Sequence, residues 1–114
     1  METKLSQTEL QQFTGTEQHF RHWSGRLLYT DGVKHMAERA GAYWLIDLVA
    51  SYQSEHKGVW FQVWDLKAKD RIGVVTMRDN ETVLVKQELE YTDFPLESLR
   101  LFVADGVLML PSEY

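Results

Sequence analysis

The stretch "VWFQVWDL", residues 59–66, decides the fold. From about residue 31 to residue 54 the apolar side chains recur at helical spacing. From Val59 onward they alternate, with Val59, Phe61 and Val63 on one side and Trp60, Gln62 and Trp64 on the other. That change from a period of 3.6 to a period of 2 marks the passage from helix to strand. "IGVVTM" (72–77) and "TVLVKQELEY" (82–91) are further strands by alternation and β-branched content, with "KAKD" and "DNE" supplying the turns. Connections this short imply antiparallel neighbours. "LRLFVADGVLML" (99–110) reads as a hairpin turning at Asp105-Gly106, since a type I′ turn needs positive φ at both central residues. A short helix is expected at "FPLESL", where Pro95 suits a first helical position.

On the N-terminal side of the switch, Ser6-Gln7-Thr8-Glu9 has capping-box spacing and opens a short helix through about Gln12. Residues 16–29 read as two short extended pieces about Ser24-Gly25. Thr30 or Asp31 can cap the next helix, in which Val33, Met36, Ala37 and Ala40 make one apolar stripe. Gly41 is its natural stop. A second helix follows from 42 to about 54, with Leu45, Leu48, Val49 and Tyr52 on one face and Tyr43, Asp47 and Ser51 on the opposite edge. The expected fold class is therefore α+β, a single domain over residues 1–114. N-terminal helices pack on one face of an antiparallel β-sheet that ends in a β-hairpin.

The sheet has apolar residues on both faces. If Val59, Phe61 and Val63 face the helices, Trp60 and Trp64 point away. A turn at Asp79-Asn80 then adds Met77, Val75 and Leu84 to that second face. A half-solvated antiparallel sheet normally alternates apolar and polar, so something must cover it: residues 16–29, the sheet itself, a second copy or another protein. Trp60, Trp64 and Met77 are the candidate interface, because aromatic residues are enriched at the centres of interfaces.

Composition narrows the function classes. The chain has 114 residues, no cysteine and a net charge of −5. Disulfides and thiolate metal sites are excluded, and the absence of cysteine fits a reducing cytoplasm. "METKLSQTELQQF" has no apolar core of a signal peptide, and no apolar run reaches the roughly 18 residues of a membrane span. The acidic balance argues against direct nucleic-acid or membrane binding. No Gly-rich phosphate loop, G-x-S-x-G or H-E-x-x-H is present. No cofactor or bound metal is expected. His19 and His22 have a spacing seen among metal ligands, but on a strand they point to opposite faces. Two readings compete with a homodimeric binding protein. One is an acidic mimic of nucleic acid, using Asp79, Glu81, Glu88, Glu90, Asp93 and Glu97. The other is a small hydrolase-like enzyme using Asp31, His22 or Asp47, whose aromatic neighbours would desolvate the carboxylates.

The blocks "QFTGTEQ" (12–18), "LYTDGVKHMAE" (28–38), "AGAYWLID" (40–47) and "LPSEY" (110–114) resemble those of a family of small bacterial proteins that carries only a domain-of-unknown-function label. The resemblance implies a bacterial or mobile-element origin and no particular activity. It also points to polar residues within the blocks. Thr14, Glu17, Tyr29, Asp31 and Asp47 are the candidate polar site, provided that they converge in space.

Overall fold

A computed structural model describes residues 5–15 and 18–114. Helix α1 (Gln7–Gln11) starts at Ser6, whose hydroxyl accepts from Glu9 N. Strands β1 (His19–Arg21) and β2 (Leu28–Thr30) follow as an antiparallel hairpin. Thr30 caps α2 (Asp31–Ala40) through a hydrogen bond from Val33 N, and Gly41 ends it at φ 62°. Only a residue tolerant of the left-handed region stops a helix this way without strain. Helix α3 (Tyr43–Ser51) runs on into a 3-10 turn at Gln53–Glu55.

Strands β3 (Phe61–Lys69), β4 (Ile72–Asp79) and β5 (Thr82–Leu89) form an antiparallel meander; β6 (Ser98–Ala104) and β7 (Val107–Met109) form the expected hairpin. Asp105 and Gly106 both have positive φ, as a type I′ turn requires. The seven strands make one sheet in the order β1-β2-β7-β6-β3-β4-β5. Among the described residues β2–β7 is the one parallel pair. Its connection runs through α2, α3 and strands β3–β6, far more than the dozen or so residues a parallel pair needs. Residues 16–29 were one proposed cover for the sheet; the part of them that is described extends it at one edge instead. Residues 95–97 form a bend rather than the expected helix, and Pro95 begins that bend into β6. The β4–β5 turn falls at Asn80-Glu81, one residue later than expected, because Asp79 pairs with Thr82.

The faces of the sheet are the reverse of the expectation. Trp64, 2% exposed, and Met77, 0% exposed, lie in one core with Leu66, Val75, Leu99, Leu101 and the buried side chains of α2 and α3. Phe61 and Val63 stand on the other face. The reason is Gln62, buried beside Trp64. Its Oε1 accepts from Trp64 Nε1 (2.8 Å) and Gln53 Nε2 (2.9 Å), while its Nε2 donates to Gln53 Oε1 and Val59 O (both 3.1 Å). Every hydrogen-bonding group of the amide is met, so burying it carries no desolvation penalty left unrecovered. Trp60 precedes the strand and is 64% exposed.

Candidate functional site

Among the described residues, no hydrogen bond or ion pair joins Thr14, Tyr29, Asp31 and Asp47 to one another. Asp47 lies on the outer edge of α3, with its side chain 53% exposed. Its Oδ1 accepts from Trp23 Nε1 at 3.2 Å and meets Nε2 of the buried His22 at 2.6 Å. Both partners belong to the β1–β2 turn, so Asp47 ties that hairpin to α3. Thr14 is exposed beyond α1, and Glu17 lies outside the described residues. Tyr29 stacks on Phe20 within the hairpin, ring centroids 5.7 Å apart. Asp31 begins α2, and its Oδ1 is buried with no hydrogen-bond partner among the described residues.

The His22 cluster has the connectivity carboxylate–imidazole–hydroxyl. Nδ1 of His22 lies 2.8 Å from Ser24 Oγ and also accepts from Ser24 N at 3.2 Å. The backbone N–H needs a lone pair there, so the ring proton sits on Nε2 and is donated to Asp47. The nearby backbone donors are already spent: Gly25 N on His22 O and Arg26 N on Ser24 Oγ. An acyl-transfer site needs free donors for the developing oxyanion, so this cluster is built as a staple for a turn. His19 is separate and exposed. Among the described residues no three His, Asp or Glu side chains gather as a metal site.

Two further polar clusters join distant elements. Glu9 of α1 receives Arg39 of α2 through Nε (2.7 Å) and Nη2 (3.0 Å) and also binds His35. The Arg39 hydrogen bonds first, and then His35, hold its carboxyl down to about 2. Glu113 Oε1 accepts from Thr30 Oγ1 (2.7 Å) and Leu110 N (3.0 Å) at the start of α2. A Cβ on Gly32 would come within 2.6 Å of that carboxylate. Blocks 28–38 and 110–114 therefore meet in space, and any side chain at position 32 would push the Glu113 carboxylate from its place. The acidic residues between 79 and 97 do not form one track, since β5 separates Asp79 and Glu81 from Glu88 and Glu90.

The most distinctive surface is the sheet face opposite the core. Four aromatic rings cluster there: Trp60–Phe61, Phe61–Phe102, Phe61–Tyr114 and Phe102–Tyr114, with centroids 5.0–5.8 Å apart. Val63 and Met109 flank Phe102 by register. Trp60 and Tyr114 are exposed; Phe61 and Phe102 are half-buried. Further along the same face lie Arg78, Lys86, Arg100, Lys67 and Lys69, together with the carboxylates of Asp65 and Glu88. Arg100 clasps Asp65 through Nε (2.8 Å) and Nη2 (3.3 Å), which pushes the arginine pKa upward. Beyond them Lys67, Lys69, Ile72, Val74, Glu88 and Glu97 line an open groove of about 960 Å³. The face thus mixes both signs: Arg78 and Arg100 share Asp65 beside the rings, and Lys67, Lys69 and Lys86 lie among Glu88, Glu90 and Glu97 at the groove. Trp64 and Met77, expected in an interface, are interior. Phe61, Phe102 and Tyr114 take their place beside Trp60. Nothing in the alternation of 59–66 could have chosen between the two faces, because Gln62 finds its partner on another element.

These features define an α+β domain with a mostly antiparallel seven-stranded sheet, one end of whose open face is aromatic. The chain belongs to the family of unknown function DUF6876, whose model matches residues 4–114. No curated protein and no solved structure matches the chain. Among the described residues no helix is long and apolar enough to cross a membrane.

Proposed function

We propose that the protein is a non-enzymatic interaction module of the bacterial cytoplasm. It works as a homodimer and takes an acidic protein segment on its open sheet face. In this reading the N-terminal helices cover one face of the sheet, which leaves the other for a partner. The observation that carries it is the four-ring cluster of Trp60, Phe61, Phe102 and Tyr114 on that face. Aromatic residues and arginine supply most of the binding energy where interfaces concentrate it. Beside the cluster two arginines, Arg78 and Arg100, share the single carboxylate of Asp65, and that local excess of positive charge favours an acidic partner and steers its approach.

Two measurements test it. The first is solution mass, expected to be that of a dimer. The second is titration with a peptide alternating Glu and Leu, with its Lys/Leu counterpart and with an oligo-dT. The acidic peptide should bind saturably and weaken as salt rises. Phe61→Ser, and separately Lys67→Glu with Lys69→Glu, should weaken it by about tenfold. Failure of the acidic peptide to bind, equal binding of the lysine peptide, or a preference for oligo-dT would each overturn the assignment of the partner.

A further inference from the structure

The open edge of the sheet is a separate surface. Strand β5 is last in the sheet order and eight residues long, whereas the strand at the other edge, β1, has three. An edge strand offers a row of unpaired N–H and C=O groups to any strand that can lie beside it. Natural sheets blunt such edges with proline, inward charges or short length. β5 has no proline, its core-facing residues are Val85, Gln87 and Leu89, and Val83 and Leu84 beside them are exposed. Its one irregularity is the register shift opposite Met77/Arg78, at Leu84. The regular part is therefore Val85–Leu89, with Gln87 at its midpoint.

We propose that β5 pairs antiparallel with β5 of a second copy about a two-fold axis at Gln87, joining the two sheets edge to edge. This rests on the homodimeric reading above and names its interface. Antiparallel pairing of identical strands is itself two-fold symmetric, so it makes a closed dimer. Two independent observations select the same register. It uses the whole regular run and avoids the bulge. It also sets Lys86 opposite Glu88 of the second copy, and Glu88 opposite its Lys86, on the face away from the core. Directly opposed unlike charges stabilise an antiparallel pair and like charges destabilise it. On the core side Val85 meets the half-buried Leu89 of the second copy, extending the apolar layer across the junction. At each end the exposed Val83 and Leu84 of one copy approach Tyr91 of the other.

The test is a charge swap read by sedimentation or light scattering across a concentration series. Lys86→Glu alone, or Glu88→Lys alone, should raise the dimer dissociation constant by about tenfold or more, because each replaces two attractive pairs with two repulsive ones. The double variant K86E/E88K should restore it, since 86 still faces 88 with the signs exchanged. Gln87→Cys gives a chain with a single cysteine at the axis. Opposed Cα atoms in such a pair lie about 4.5–5.5 Å apart, within disulfide reach, so mild oxidation should cross-link the dimer. Dimers indifferent to all three charge variants would overturn the β5 interface while leaving the homodimer standing. A chain monomeric at every concentration would overturn both.

Discussion

At the scale of single residues, two carboxylates show how context sets the role. Asp47 interrupts an apolar helix, yet it is neither a solvated bystander nor a buried catalytic group. It holds the protonated nitrogen of buried His22 and the indole of Trp23. Asp47→Asn keeps the shape and removes the charge that favours the imidazole N–H. We expect a loss of about 1.5 kcal/mol in urea unfolding, the low end for a hydrogen bond to a charged group because Asp47 is half exposed; a change under about 0.5 kcal/mol would mean that the staple is idle. Glu9 acts through pH. Its carboxyl is lowered from 4.5 to about 2 by Arg39 and then His35. A depressed carboxyl stabilises the fold above its unfolded pKa and loses that contribution as pH falls through the folded one. Stability should therefore decline between about pH 4.5 and 2, and Glu9→Gln should flatten that part of the curve. An unchanged acid limb in the variant would rule out the Glu9–Arg39 tie as its source.

At the scale of elements, what could be read from the sequence is what a segment decides alone. Helix α2 was legible because both ends are written locally, in the Thr30 cap and in Gly41. The Asp105-Gly106 turn was legible because few residue pairs accept positive φ together. The face of β3 was not, because both alternating sets are apolar. The one polar residue among them, Gln62, is satisfied by Gln53 from another element. The surroundings of Asp47 were not legible for the same reason: its partners, His22 and Trp23, depend on how a hairpin docks, which no periodicity records. The corrected faces lead to a contrast. Trp64→Ala should cost about 3–5 kcal/mol, as large-to-small changes in a core do. Trp60→Ser should change the stability of the monomer by about 0.5 kcal/mol or less. Equal costs for the two in urea unfolding below the dimer dissociation constant would contradict the assignment of faces.

At the scale of the whole molecule, the sheet is built from two parts that differ in how far along the chain their contacts reach. The β3–β4–β5 meander closes through two-residue turns, and β6 then adds to β3 along seven paired positions. The β1–β2 hairpin joins only through β2–β7, where two positions, Leu28–Val107 and Tyr29–Leu108, link opposite ends of the chain. Helix α2 begins at that junction, where Thr30 meets Glu113 across 83 positions. Closing so long a loop costs entropy that two ladder positions barely offset. The His22–Asp47 staple and the Glu113 contact are then what hold the hairpin in place. Regions with few long-range contacts open first, by local unfolding short of the global transition. Native-state hydrogen exchange should therefore find the slowest amides in β3, β4 and β6, with Leu28–Thr30 and His19–Arg21 exchanging through a cheaper opening. Asp47→Asn should speed exchange in that hairpin while leaving β3 and β4 unchanged. If the hairpin exchanges as slowly as β3, the sheet opens as one unit, and the junction at β2–β7 is stronger than its two paired positions imply.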